Sequence, residues 1–215
     1  MARIPGESYL GVGDHFFEAP HIFFAASWRS APQHIGSAER ARIATDCNTR
    51  LAHLYNELPP RFLPSINHVQ GHVDALFDPD YPLVLTHGDF SEANMLVDKK
   101  NGNLTGVVDL TELSFLPFGF DLYAFDHILG DLGLHGWEDH GNAPAVKAHF
   151  WATFVRLAQP SRAQQETIQV ARLARILFRY GTRVDAGFPG MAGLRNRDDG
   201  TIEVLDALVQ PDSAG

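Results

Sequence analysis

Apolar residues recur every three or four positions through much of the sequence, which is the spacing of helices with one buried face. A first predicted helix runs from Ser37, a candidate N-cap, to Leu58, just before Pro59 and Pro60. A second predicted helix covers residues 66–77. The apolar positions of the first helix are Ile43, Cys47, Leu51, Leu54 and Leu58.

The pattern changes to short apolar runs between residues 83 and 108. A run at 83–85 leads into His87-Gly88-Asp89, and further runs at 95–97 and 104–108 flank the pair Asn101-Gly102. Two short apolar runs around an Asn-Gly turn predict a β-hairpin.

Beyond Pro117 the pattern is helical again, over 120–132, 143–157 and 163–180. Ser161 is the candidate cap of the last helix and Gly181 its end. A short helix is predicted at 202–208, within a polar tail at 196–215. Residues 1–36 are rich in glycine, proline and aromatic side chains, and Phe16, Phe17, Phe23 and Phe24 are expected to pack on a core. The fold class predicted is α+β, mostly helical, in a single domain over 1–215.

Composition and charge exclude several classes of protein. The 215 residues are 45% hydrophobic and 20% charged, with a net charge of −9, so a nucleic-acid-binding protein is not expected. One cysteine excludes a disulfide framework within the chain. The sequence has neither a secretory signal pattern nor an apolar run of the roughly 20 residues that a membrane span needs. We therefore expect a cytoplasmic protein that acts away from membranes.

The candidate chemistry lies around the predicted hairpin, within a motif core at 83–125. His87, Asp89 and Asn94 precede the hairpin turn, and Asp109 follows it. Phosphoryl transfer needs a carboxylate that takes the proton of the acceptor hydroxyl, and an amide oxygen and a second carboxylate that hold Mg²⁺. Hard oxygen ligands of this kind suit Mg²⁺. The spacing of these residues is thus that of a plausible base-and-metal site.

The pattern His87-Gly-Asp89-x₄-Asn94, followed by Val107-Val108-Asp109, resembles the catalytic core of the aminoglycoside phosphotransferase and choline-kinase-like family, which has a protein-kinase-like fold. The resemblance covers roughly residues 37–185 and implies the C-terminal lobe of that fold. It implies that Asp89 is the catalytic base, that Asn94 and Asp109 bind Mg²⁺, and that His87 braces the loop. Asp121 would be a structural acid behind the site. ATP would be the phosphate donor and a small molecule the acceptor.

The sequence also departs from this family. No lysine precedes Lys99, although such kinases pair a strand lysine with the nucleotide phosphates. The pair Gly11-Val12-Gly13 lacks the third glycine of a Gly-rich loop. We therefore expect a C-lobe without its nucleotide lobe, with a homodimer or a partner chain over the face that this lobe would cover.

Three explanations stay open. The chain is a fragment, or a phosphotransferase that covers its nucleotide differently, or a protein that has abandoned ATP. In the third case His87, Asp89, Asp109 and Glu112 could do acid–base chemistry on a metabolite, such as cyclisation, dehydration or isomerisation, without a cofactor. The aromatic N-terminal segment would then wall an apolar pocket. A catalytically inactive binding protein is a further alternative.

Overall fold

Helices surround three small antiparallel sheets in the part of the chain that the computed structural model describes, which is residues 7–8, 19–32, 35–98, 100, 104–133, 136–181 and 201–209. The helices are α1 (Ala19–Arg29), α2 (Ser37–Glu57), α3 (Leu63–His72), α4 (Tyr123–His127), α5 (Ala143–Ala158), α6 (Arg162–Gly181) and α7 (Thr201–Val209). The strands are β1 (Glu7–Ser8), β2 (Leu83–Thr86), β3 (Met95–Val97), β4 (Leu104–Val107), β5 (Ser114–Pro117), β6 (Gly130–Gly133) and β7 (Gly136–Asp139). The α+β, mostly helical fold class is confirmed.

The two predicted N-terminal helices are present, with shifted starts. All five apolar positions of the first predicted helix are buried, four of them within α2 and the fifth, Leu58, at its C-cap. Ser37 is the first residue of α2 rather than its cap, since Gly36 occupies the cap position and no side chain caps the helix. The second helix starts at Leu63, and it continues as a 3₁₀ helix over Val73–Phe77.

The predicted hairpin is confirmed as the antiparallel pair β3–β4, with Met95 opposite Val107. Its turn, with Asn101-Gly102, lies outside the described residues. The apolar run at 83–85 belongs to β2, which pairs with β5 so that Leu83 lies opposite Pro117. Pro117 forms the end of this ladder, where its missing N–H is tolerated. The two ladders bracket the segment that carries the candidate site.

The predicted helix over 120–132 is helical only as far as His127, and it is wrong from residue 128 onward. A 3₁₀ turn at Phe120–Leu122 leads into the short α4, and the chain then forms the β6–β7 hairpin. Gly130 explains the change, because a β-carbon there would lie 2.6 Å from the carbonyl oxygen of Glu138. Such close strand approach requires glycine, which also disfavours helix.

The last three predicted helices are present as α5, α6 and α7. Ser161 caps α6 as expected: the backbone N–H of Gln164 donates to Ser161 Oγ at 3.2 Å, and the Ser161 N–H donates to Gln164 Oε1 at 2.9 Å. This reciprocal capping box satisfies two N–H groups at the start of the helix. It fixes where α6 begins.

Part of the aromatic N-terminal segment packs on the core. Phe24 of α1 is buried, and the ring of Phe23 stacks on that of Phe90 at 5.1 Å. Phe16, Phe17 and the Gly11-Val12-Gly13 sequence lie outside the described residues. Among the helices of the described residues, none combines the length and the apolar character that crossing a bilayer requires.

A substitution at Gly119 tests how closely the chain that precedes Asp121 approaches α6. Its φ is +104°, and a β-carbon there would lie 2.8 Å from the β-carbon of Ala171. We expect Gly119→Ala to lower the free energy of unfolding by about 1–3 kcal/mol, measured by urea denaturation. Gly71→Ala is the control, because nothing lies within 4 Å of its β-carbon position and it sits in α3. It should be neutral or stabilise by up to about 1 kcal/mol. Equal losses in both variants would contradict the close approach.

Cys47 tests the burial of α2. Burial raises the pKa of its thiol to about 12, so at pH 8 only roughly 0.01% is thiolate. We expect a disulfide reagent to label the native chain at least about 100-fold more slowly than the urea-unfolded chain, because only unfolding exposes the thiol. Rapid labelling without urea would show that this face of α2 is open.

Candidate active site

The candidate site is built on a sharp turn at Gly88, directly after β2. Gly88 has a φ of +83°, and a β-carbon there would lie 2.8 Å from both the β-carbon and the carbonyl oxygen of Glu112. Only glycine fits this backbone and this contact. The turn lets His87 point into the protein while Asp89, half-exposed, points out.

His87 braces the turn through two hydrogen bonds. Its backbone N–H donates to Oδ2 of Asp121 at 2.7 Å, and its ring Nε2 lies 2.8 Å from the carbonyl oxygen of Val108. Because a carbonyl can only accept, Nε2 carries the hydrogen. The side chain is 4% exposed. His87 therefore ties the loop to the buried acid on one side and to the end of β4 on the other.

The peptide groups of Val108 join the two limbs of the motif. The Val108 N–H donates to the carbonyl oxygen of Asn94 at 3.0 Å, while its own carbonyl accepts from His87. Asp109 follows directly, in the left-handed region at φ 59° and ψ 64°. The Asn94 amide donates to the carbonyl of Asp89 at 2.9 Å. Asp89, Asn94 and Asp109 are thus brought together, as their order around the hairpin predicts.

Two arginines of α6 contact the loop from the other side. Arg179 Nη2 donates to Asp89 Oδ1 at 2.6 Å, and its guanidinium lies 4.6 Å from the ring centre of Tyr123. Arg175, one turn earlier and buried, donates to the carbonyl oxygen of Gly88. Contact with an aromatic face stabilises a guanidinium further when it is partly desolvated. The hydrogen bond from Arg179 thus holds the carboxylate of Asp89 through Oδ1.

Asp121 is a buried acid behind the loop. Burial raises the pKa of its carboxyl, and the His87 amide and the Arg175 guanidinium act in the opposite direction. A buried carboxylate is tolerated where hydrogen bonds and an opposite charge compensate for lost hydration. Asp121 lies in a 3₁₀ turn whose preceding residue is Gly119. The acid predicted to be structural thus lies against the backbone of the loop.

The candidate metal ligands are two oxygen donors on adjacent limbs. Because the Asn94 amide nitrogen is engaged, its Oδ1 is the free coordinating atom of the side chain. Asp109 is exposed, and its Oδ1 accepts from Thr111 Oγ1 at 2.9 Å. The described residues contain no group of three or more His, Cys, Asp or Glu side chains that could hold a metal. Mg²⁺ often takes one or two protein ligands and completes its shell with water and phosphate, so this donor pair fits it.

The other candidate acids have different surroundings. Glu112 is exposed and lies against Gly88. Glu92 lies 3.2 Å from Nδ1 of His127. Burial raises the pKa of Glu92, but the hydrogen bond to His127, a backbone hydrogen bond and the charges of His127 and Arg179 together outweigh it and leave the pKa lowered.

Arg175 and Arg179 were not predicted from the sequence. They lie almost ninety positions beyond the motif, so no local spacing links them to Asp89. One signal was present: Arg175 falls four positions after Ala171 and seven after Ile168, on the buried face of α6. An arginine on the apolar face of a helix needs an acceptor inside the protein.

A braced loop that presents a carboxylate, followed by an amide and a second carboxylate at a hairpin, is the arrangement of a kinase-like phosphotransferase. Residues 26–128, just under half of the chain, match the model of the phosphotransferase enzyme family, which confirms over this segment the family resemblance predicted from the sequence.

One solved structure is similar over a larger part of the chain. It is the crystal structure of an aminoglycoside-3'-phosphotransferase of type VIII, with a TM-score of 0.45 and 17% sequence identity. The match covers 80% of this chain and 65% of that one, so this chain spans less than two thirds of the length of that solved chain. No curated protein matches the sequence significantly.

Asp121 tests how the loop is held. Asp121→Ala leaves the buried His87 N–H without its acceptor and removes a negative charge near Arg175, and we expect a loss of about 1–3 kcal/mol in the free energy of unfolding. Asp121→Asn keeps an oxygen that can accept, so it should lose clearly less. Asp131→Ala, whose side chain is 84% exposed, should change stability by less than about 0.5 kcal/mol. The measurement is urea denaturation, and equal stability of all three variants would contradict the role of Asp121.

Proposed function

We propose that the protein transfers a phosphoryl group from ATP to a hydroxyl of a small molecule, with Asp89 as the base. The observation that carries this proposal is the pair of hydrogen bonds that link Asp89 to Asn94 and Asn94 to Val108, the residue directly before Asp109. Each of the three side chains is at least partly exposed, so a substrate can reach them.

The two carboxylate oxygens of Asp89 would have different roles, one in holding the side chain in place and the other in accepting the proton. Oδ1 accepts from Arg179, whereas Oδ2 has no hydrogen bond to the residues that the structure describes. An acceptor hydroxyl would donate to Oδ2, and its proton would pass to the carboxylate as the hydroxyl oxygen attacks the γ-phosphorus and the bond to the ADP oxygen breaks. Arg179 fixes the orientation of the carboxylate, which favours in-line attack.

Asn94 Oδ1 and the carboxylate of Asp109 would hold Mg²⁺. When bound, the ion neutralises charge on the phosphates of the nucleotide. No lysine precedes Lys99 in the sequence, so within this chain much of that neutralisation depends on these two ligands. The hydrogen bond from Thr111 to Asp109 Oδ1 orients the carboxylate for this role.

A second candidate function is acid–base catalysis on a metabolite without ATP, at the same Asp89, His87 and Asp109. The observation that favours it is an apolar cavity beside His87, walled in part by Phe23 of the aromatic N-terminal segment. Acid–base catalysis would need Asp89 and Asp109 but no nucleotide. A protein that only binds its ligand would need neither these acids nor a nucleotide.

Thermal unfolding with and without millimolar Mg-ATP distinguishes these functions. Saturation at a hundred times Kd should add about 2.7 kcal/mol and raise Tm by roughly 5 to 10 °C. Asp109→Asn should lose the Mg²⁺-dependent shift. Asp89→Asn should keep it but abolish ADP formation against a panel of hydroxyl-bearing metabolites.

Asp131→Asn is the control, because this exposed carboxylate lies on the β6–β7 hairpin and should leave both readouts unchanged. A well-folded protein whose Tm does not respond to Mg-ATP would overturn phosphotransfer by this chain. If turnover of a substrate then survived both Asp89→Asn and Asp109→Asn, the acid–base alternative would also fail.

A further inference from the structure

Two histidines lie one helical turn apart on the solvent-facing side of α3. His68 and His72 are separated by four positions, a spacing that places two side chains above one another on a helix. Both residues are exposed, so an ion in solvent can reach both rings. The centres of the two rings are 4.6 Å apart, and the ring planes are tilted by 39°. Neither histidine takes part in the candidate active site.

A hydrogen bond fixes which nitrogen of His72 carries the hydrogen. Its Nδ1 lies 2.7 Å from the carbonyl oxygen of His68, and because a carbonyl can only accept, Nδ1 is the donor. The neutral ring therefore keeps its lone pair on Nε2, at the outer end of the side chain. Histidines that bind a metal almost always donate their other N–H to a carbonyl, a carboxylate or water, which orients the ring and raises its basicity. The backbone of α3 supplies this partner to His72.

The separation of the rings fits two ligands of one ion. Imidazole nitrogens bind divalent transition metals at about 2.0–2.1 Å, so two rings at neighbouring coordination positions have their centres roughly 4.5–5.2 Å apart. The observed 4.6 Å lies at the lower end of this range, which corresponds to an angle of about 90° at the ion. An angle of this size belongs to tetragonal or octahedral coordination rather than to a tetrahedron.

The electrostatic surroundings within α3 favour a cation. The helix contains no lysine or arginine, and His72 is its last residue, where the negative end of the helix dipole lies. Among the residues that the structure describes, no third His, Cys, Asp or Glu side chain joins the pair to form a metal-binding group. Water would complete the coordination shell, so we expect weaker binding than at a structural zinc site with four protein ligands.

We propose that His68 and His72 bind one divalent transition-metal ion through their Nε2 atoms, with Cu²⁺ preferred over Ni²⁺ and Zn²⁺. Imidazole suits all three ions, and the affinity of such ligands is generally highest for Cu²⁺. An angle near 90° also suits Cu²⁺ and Ni²⁺ better than Zn²⁺, which prefers a tetrahedron. The site is distinct from the oxygen ligands Asn94 and Asp109, which suit a hard ion. The proposal does not rest on phosphotransfer, because it needs no nucleotide.

The probe is Cu²⁺ alone, added to the full chain near neutral pH, where the imidazoles can lose their protons. We expect electron paramagnetic resonance to show one Cu²⁺ bound by two imidazole nitrogens. His68→Gln and His72→Gln should each weaken this site at least tenfold in a calorimetric titration, because one ring alone loses the gain from two linked ligands. His149→Gln is the matched control, since it removes the single, exposed histidine of α5 and should leave the affinity within twofold.

A second variant tests the spacing rather than the number of histidines. Gln70→His combined with His72→Gln keeps two exposed histidines on α3 but separates them by two positions, about 200° around the helix. It should bind Cu²⁺ as weakly as His72→Gln alone. Binding equal to that of wild type, in this variant or in either single His→Gln variant, would overturn the site. Binding of Zn²⁺ more tightly than Cu²⁺ would overturn the coordination angle on which the proposal depends.

The metal site and phosphotransfer can fail separately. All of these substitutions lie on α3 or α5, which carry no residue of the candidate active site, so the Tm shift with Mg-ATP should be the same in each variant as in wild type. Loss of Cu²⁺ binding with an unchanged Mg-ATP shift supports a separate metal site. Loss of both in His72→Gln would show a general structural effect and overturn the assignment of the two rings as ligands.

Discussion

The hydrogen bond from the His87 amide to the buried carboxylate of Asp121 is the contact on which the site depends. A polar loop that enters the interior must find a partner for each backbone group it buries. Asp121 accepts from His87, and Arg175 donates to the next carbonyl, that of Gly88. The carboxylate of Asp121 and the guanidinium of Arg175 therefore bind adjacent residues of the loop, and each charge offsets part of the hydration that the other loses on burial. Two opposite buried charges thus hold one short stretch of backbone.

The candidate site is assembled by contacts of the main chain rather than by contacts among its own carboxylates. The carbonyl of Val108 accepts a hydrogen bond from the His87 ring, and the N–H of Val108 donates to the carbonyl of Asn94. Asp109 is the next residue in the chain. This arrangement leaves the acid side chains at the surface, where a substrate can engage them. It also separates two environments across one loop, since His87 faces an apolar cavity and Asp89 faces an arginine and solvent.

Local order in the sequence predicts the parts of this structure that depend on neighbours along the chain. The β3–β4 hairpin, the buried face of α2 and the Ser161 cap all follow from spacing over a few residues. The β6–β7 hairpin does not follow in this way. Apolar residues at helical spacing predict a helix there, and the close contact of Gly130 with its partner strand arises only when the two strands pair. The pairing of Arg179 with Asp89 also lies beyond local reasoning, since only the packing of α6 brings them together.

The capping box at Ser161 fixes the residue at which α6 begins, and it thereby fixes the direction in which each later side chain of the helix points. Arg172, Arg175 and Arg179 lie at spacings of three and four, and they meet Asp126, the Gly88 carbonyl and Asp89 respectively. Each residue added to a helix turns the remainder of that helix by about 100° and advances it by about 1.5 Å. One residue inserted between the cap and Arg172 would therefore swing all three guanidinium groups off their acceptors at once. Along this helix, length is constrained more tightly than the identity of any exposed side chain.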